Sequence, residues 1–254
     1  GIDYSGAKSP VTRTSGLQVY RSSSGEEPRI ERSPSSTRTR RRNWNRTEVA
    51  RWLARQLDQG ATLIAGIDHG FSFPIGYFER YKIRSWQHFL DDFSHHWPTD
   101  SAEATIDQLR DDFAGPASRR TGTSNEFRLT ERWSSSAKSV FQFDVQGSVA
   151  KSTHAGLPWI RRLRKEHGDR LHFWPFDGWT PPAGKSVIAE VYPSIFRNRY
   201  SREDRTCDQQ DAFSVARWLS RTSRSGMLYR YFDPPLTDEE RSIADLEGWM
   251  LGIA

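Results

Sequence analysis

Residues 62–74 read T-L-I-A-G-I-D-H-G-F-S-F-P, and their reading decides the fold. An apolar run climbs to Asp68 and breaks into a loop of glycine, aromatic residues and Pro74. A short apolar run bounded by turn residues is the pattern of a fully buried strand. An acid at the carboxyl end of such a strand stands where open α/β sheets bind ligands. The chain opens on the same tripeptide: Gly1-Ile2-Asp3 and Gly66-Ile67-Asp68 both read G-I-D. If the two strands are neighbours in one sheet, two carboxylates meet at their ends.

Upstream of that stretch, residues 1–3 read as the end of a first strand, and residues 4–10 as a small polar turn. Residues 17–21 and 28–32 alternate weakly, as the second and third strands of an antiparallel meander do. A basic cluster follows at residues 38–42, read as a solvated loop. Thr47 is expected to cap a helix over 48–59, with Val49, Trp52, Leu53 and Leu57 at helical spacing and Gly60 as its stop. The order is therefore β-β-β-α-β.

Downstream, the pattern predicts helices over 85–97 and 101–113. With the irregular stretch to 136 they form an expected helical insertion at about 84–136 within a single domain spanning 1–254. Residues 115–124 are the most loop-like segment. Short strands are expected at 140–145, 171–175 and 187–191, and helices at 157–167 and 208–221. A last helix, 237–249, opens on a capping box, with Thr237 at N-cap and Glu240 at N3.

The chain's 254 residues suffice for a large core. One cysteine, Cys207, excludes a disulfide framework and a thiolate metal cluster, and suits a reducing, cytoplasmic setting. Apolar runs such as 63–67 and 187–191 are too short to span a bilayer, so no membrane partner is expected. No signal peptide is visible; because the sequence begins inside an apparent strand, a trimmed leader stays compatible with it. The net charge of +5 comes from 37 Lys+Arg against 32 Asp+Glu. Arginine suits bidentate phosphate contacts and a basic chain favours polyanions, although an ordinary solvated Arg/Glu surface has the same composition.

Five acids stand at telling places. Asp3 and Asp68 end strands, Glu190 lies near the end of a later one, and Asp208 and Asp211 share a helix face three residues apart. Converging carboxylates repel one another and lose hydration. Divalent cations relieve that, and oxygen-only ligands suit Mg²⁺ or Mn²⁺. Two such ions about 3.5–4 Å apart activate a water and stabilise the leaving oxygen of a phosphodiester. Taken singly, each acid is as well explained as a turn former or helix cap; their order along one β-β-β-α-β…β…α plan is more telling.

With these residues in place, the chain resembles the RNase-H-like superfamily. In detail it is similar to a family of predicted RNase-H-like nucleases described as a domain of unknown function. The resemblance is carried by G-I-D-Y-S-G-A at 1–7, L-I-A-G-I-D-H-G-F-S-F-P at 63–74 and G-S-V-A-K-S-T-H-A-G-L-P-W at 147–159. A-E-V-Y-P-S-I-F at 189–196 and D-Q-Q-D-A-F-S-V-A-R-W at 208–218 complete it, and residues 84–136 match least. It implies an α/β fold, a five-stranded mixed sheet in the order 3-2-1-4-5 flanked by helices, with Asp3 beside Asp68. It also implies a metal-dependent phosphodiesterase acting on DNA or RNA. Asp3 would bridge two ions, Asp68 and Asp211 would complete the sites, and Glu190 and Asp208 would be further ligands. The resemblance names a chemistry and no biological task.

Lys8, Lys151, Ser152 and His154 are the candidate substrate-binding residues. Ser152 and Thr153 are expected just before a helix, where free backbone N–H groups favour phosphate, or serve there as an ordinary N-cap with Lys151 solvated. His69 either shuttles a proton or merely ends the strand, the second being the simpler reading. The ten tryptophans suit packing first and base stacking second. Two other classes stay open. One is an actin/sugar-kinase-like phosphotransferase or NTPase, for which D-Y-S-G-A-K-S at 3–9 would be a phosphate turn. The other is a non-catalytic nucleic-acid-binding protein on a nuclease fold.

Overall fold

The structure is a computed structural model that describes residues 1–23, 25–34 and 43–254. The basic cluster at 38–42 lies outside the described residues. A mixed sheet forms from β1 (Ile2–Asp3), β2 (Gln18–Arg21), β3 (Arg29–Ile30), β4 (Ile64–Asp68), β5 (Leu171–Trp174) and β6 (Ser186–Glu190). Its order is β3-β2-β1-β4-β6-β5. The first three strands are antiparallel to one another, and β1, β4, β6 and β5 run parallel.

The 3-2-1-4 half of the expected order is present, but the sheet has six strands and the last two are exchanged. β6 takes the place beside β4, and the earlier β5 forms the edge. The chain passes outward between β4 and β5 and returns over residues 175–185, so order in sequence does not set order in space. β6 is buried along its whole length, as an interior strand must be.

Helices cover both faces. α1 (Arg46–Asp58) packs on α6 (Ala150–His167), and α6 also packs on α3 (Trp86–His96). Ile2, Val19, Ala65, Ile67, Phe173 and Ile188 face this layer. α7 (Cys207–Arg224) crosses β2, β1 and β4 on the opposite face, where Val187, Ala189 and Val191 meet Val215, Trp218 and Leu219. The split of β6 between the layers, Ile188 one way and Val187 and Ala189 the other, is the period-2 alternation of a doubly covered strand. The short helices α2 (Ile75–Tyr81), α4 (Ile106–Asp111) and α5 (Leu129–Ser134) lie between β4 and α6 in sequence, and α8 (Asp238–Glu247) packs on α2 and α5.

Local chemistry explains where the element boundaries differ from expectation. Asn45, not Thr47, caps α1: its side chain accepts from the Glu48 N–H, and Glu48 closes the reciprocal bond. Residues 140–145 form no strand; Val140 and Phe141 are buried in a turn held by Ser139, whose hydroxyl donates to the Glu126 carbonyl and accepts from the Phe141 N–H. α4 holds only six residues of the expected 101–113 helix. α6 begins seven residues before the expected 157 and carries Pro158 within it. Proline has no N–H for the carbonyl four residues back. The Thr99 hydroxyl donates to that His154 carbonyl instead, at 2.7 Å, so the helix continues through. At the C-terminal end, Thr237 and Glu240 form the expected capping box of α8. Among the described residues no helix is long and apolar enough to cross a membrane.

Candidate active site

Strand alternation decides which acids can meet. The glycines of the two G-I-D tripeptides lie under α7. A Cβ on Gly1 would stand 2.1 Å from the Ala212 carbonyl oxygen, and one on Gly66 would stand 2.8 Å from methyl groups of Val191 and Val215. No side chain fits there. The isoleucines point the other way, into the core under α1 and α6. Asp3 and Asp68 therefore return to the α7 face at the carboxyl ends of their strands. The register pairs Ile2 with Ile67 and Asp3 with Asp68. The repeated tripeptide thus encodes three successive jobs: admit a helix, fill the core, present an acid.

α7 runs back along β1, its Ala212 and Ala216 against Gly1 and its first turn by Asp3. Thr206 caps that turn in a reciprocal box with Gln209. Asp208 and Asp211 project from it toward the strand-end acids. Burial raises the Asp3 carboxyl well above the usual carboxylate range, and the charges of Asp68, Asp208 and Asp211 push it further. Burial also lifts Asp68, to about 7, with Asp211 and Glu190 adding to the shift and Arg197 opposing it. Asp3 and Asp68 are hydrogen-bonded to each other. Two buried carboxyls in such contact hold a proton between them rather than both ionise.

Asp211 has a different counter-charge. Arg197, in the short turn after the Y-P-S-I-F run, grips it with both arms: Nε donates to one carboxylate oxygen at 2.6 Å and Nη2 to the other. Burial raises the Asp211 carboxyl and Arg197 opposes the rise.

Glu190 stands apart from this group. It is the register partner of Ile67, so it shares the face of Ile67 and not that of Asp68. Its carboxylate accepts from Arg128 Nη1 at 2.8 Å and Nη2 at 2.6 Å, and from the Phe71 N–H at 2.9 Å. Arg128 also donates to Glu131 at 2.9 Å, and both residues are fully buried. The expectation of Glu190 as a ligand thus meets a committed carboxylate; strand parity and a buried arginine from a distant segment account for it.

The candidate substrate-binding residues scatter. Lys8 is exposed in the turn after Asp3, with a left-handed backbone (φ 60°). Buried Arg46 fixes that turn by donating to the carbonyls of Ser5, Ala7 and Lys8. Lys151 pairs with Asp107 at 2.7 Å. Ser152 sits inside the first turn of α6, not before it, and its hydroxyl donates to the Val149 carbonyl. Thr153 accepts from the Gly70 N–H and so ties α6 to the loop after β4. The earlier helix start puts His154 on the buried face, among the rings of Phe73, Trp97 and Phe143. Burial lowers its imidazole to about 3, and it is a neutral core residue. His69 is likewise buried, edge-on to Tyr4, and lowered to about 4.

Among the described residues no group of three or more His, Cys, Asp or Glu side chains is drawn together closely enough to hold a metal ion. Burial and mutual repulsion raise the carboxyls of Asp3 and Asp68, and a guanidinium is paired with Asp211. The donor set itself, all carboxylate oxygen with excess negative charge, fits a hard divalent cation. Sequence reasoning missed Arg197, Arg128 and Arg46, which hold Asp211, Glu190 and the turn after Asp3. Arg197 had a signal, since it directly follows the 189–196 motif. No known protein family, curated protein or solved structure matches the chain.

Proposed function

We propose that the chain is a Mg²⁺- or Mn²⁺-dependent nuclease that hydrolyses phosphodiester bonds in DNA or RNA on an RNase-H-like sheet extended by one edge strand. The observation that carries this reading is the register pairing of Asp3 with Asp68 on the face crossed by α7, whose first turn brings Asp208 and Asp211. Asp3, Asp68 and Asp211 would hold the cation, with Asp208 beside them. When bound, the ion supplies Lewis-acid activation of water and charge neutralisation at the phosphate. The residues of the chain do the rest. Arg46 holds the turn after Asp3 in place, and Lys8, exposed on that turn, would be free to meet a flanking phosphate. The first turn of α7 directs the positive end of its helix at the same place. Glu190, tied to Arg128 and to the Phe71 N–H, fixes the loop that leaves β4 just after Asp68.

The test is Mn²⁺-dependent cleavage of labelled DNA and RNA by the wild-type chain, abolished in Asp68→Asn. Nucleotide hydrolysis without strand cleavage would favour a phosphotransferase or NTPase instead. Nucleic-acid binding with no cation binding would favour a non-catalytic protein.

A further inference from the structure

We propose that Arg197 is an exchangeable counter-cation of the acid group: it holds Asp211 while no divalent cation is bound, and turns to a phosphate of the bound strand once one is. This rests on the reading of Asp3, Asp68 and Asp211 as cation ligands.

The two partners of this ion pair differ in their surroundings. The Asp211 side chain is 10% exposed and that of Arg197 is 44% exposed. The carboxylate is enclosed, whereas the guanidinium already meets water, so its departure costs little hydration. A pair that is shut in on both sides behaves otherwise: Arg128, with Glu131 and Glu190, has no exposed side and nowhere to turn.

The root of Arg197 is fixed by packing, while its head is half-exposed and bound to Asp211. Phe196, just before it, is fully buried and stacks on Trp218 at 4.2 Å between ring centres. Gln210 on α7 donates to the Arg197 carbonyl at 3.1 Å and to the Tyr200 carbonyl at 2.9 Å. Arg205 in turn donates to the Gln210 side-chain oxygen at 2.8 Å. An arginine anchored at its backbone and open at its tip can swing without refolding anything.

The ion pair and a bound cation compete for the same carboxylate. Both oxygens of Asp211 are engaged by the guanidinium. A divalent cation shared with Asp3 and Asp68 needs at least one of them, and it repels the guanidinium beside it. The released fork matches two phosphate oxygens as well as it matched two carboxylate oxygens. One residue then reports whether the acids are neutralised and, when they are, positions the strand.

Calorimetric titration of Mn²⁺ into the wild-type chain, Arg197→Gln, Arg197→Lys and Asp68→Asn tests this, together with anisotropy of a labelled single-stranded oligonucleotide in Ca²⁺. Removal of the competing positive charge should tighten Mn²⁺ binding about tenfold in Arg197→Gln. Loss of the fork should weaken oligonucleotide binding about tenfold. Arg197→Lys keeps the charge and should bind Mn²⁺ like wild type, yet hold the oligonucleotide less well. Mn²⁺ affinity in Arg197→Gln that is unchanged or weaker, or oligonucleotide affinity that is undiminished, overturns the proposal. If Arg197→Gln folds poorly, the Mn²⁺-induced rise in melting temperature of Arg197→Lys against wild type is decisive, since a fixed structural pair predicts a smaller rise. An Asp68→Asn chain that binds Mn²⁺ as wild type does would sink the reading of the site itself.

Discussion

Asp3 and Asp68 are register partners on two parallel strands, hydrogen-bonded through carboxyl groups that burial has taken out of the usual carboxylate range. Such a pair opposes folding when both carboxyls are ionised, so removal of one charge should separate stability from activity. Asp68→Asn removes one charge and keeps a hydrogen-bonding group of the same shape. In cation-free buffer at neutral pH it should be more stable than wild type by about 1–2 kcal/mol, as replacements at strained functional sites are. On the proposed function, the variant should also lose any stabilisation by Mn²⁺ seen in the wild type, and lose cleavage by roughly a hundredfold or more. Urea unfolding with and without Mn²⁺ and a cleavage assay check the three effects. An Asp68→Asn chain that is less stable than wild type without metal would show that the pair supports the fold.

The same pair sets a pH dependence whose sign is opposite to that of an ordinary ion-paired acid. An unfolded aspartate releases its proton near pH 4, whereas folded Asp68 does so at about 7. Between those values the folded chain binds the extra proton. The contribution of the pair is therefore fully present below pH 4 and falls as pH rises toward 7. The loss should be on the order of 2 kcal/mol, discounted for partial exposure. Carboxylates with lowered affinity, such as Asp91 and Glu126, have the opposite sign at lower pH. The useful measurement is thus the difference between wild type and Asp68→Asn at pH 5 and pH 8. That difference should favour the variant at pH 8 and shrink at pH 5.

Glu190 and Arg128 predict a purely structural phenotype. Arg128→Met leaves Glu131 and Glu190 buried without a counter-charge, a change that costs about 3–5 kcal/mol. Glu190→Gln leaves Arg128 paired with Glu131 and should cost less. Because Glu190 shares the face of Ile67, its replacement should leave Mn²⁺ affinity within about twofold of wild type, against the large loss at Asp68. Calorimetry on Glu190→Gln decides this; a loss as large as that of Asp68→Asn would make Glu190 a ligand after all.

These residues mark what the sequence could and could not say. The G-I-D echo and the acid at each strand end were readable because strand alternation acts locally: residue, neighbour and face follow from a period of two. The helix over 208–221 is legible from its apolar spacing and its two acids from a spacing of three, whereas its place beside Asp3 rests on the resemblance alone. The face of Glu190 is not legible in the sequence, because it depends on register against β4, which only the assembled sheet sets. The same holds for β5 and β6, whose exchange depends on the crossover between them. Arg197 and Arg128 act on acids 14 and 62 residues away, and no local pattern joins such partners. The burial of His154 follows from the start of α6 at Ala150, seven residues before the expected 157, which puts His154 inside the helix.

Pro158, inside α6, supplies the last prediction. Its missing N–H would leave the His154 carbonyl without a helical partner, and Thr99 replaces it from outside the helix at 2.7 Å. Both groups are buried, so the replacement is costly to lose. Thr99→Val should destabilise the chain by about 1–2 kcal/mol. In Pro158→Ala the helix regains its own N–H for the same carbonyl, so Thr99 should matter less. The double variant should accordingly be more stable than the sum of the single effects by about 1 kcal/mol. Urea unfolding of the four chains closes the cycle. Additive effects would mean that Thr99 holds α6 by packing alone and that its hydroxyl does not stand in for the proline's absent donor.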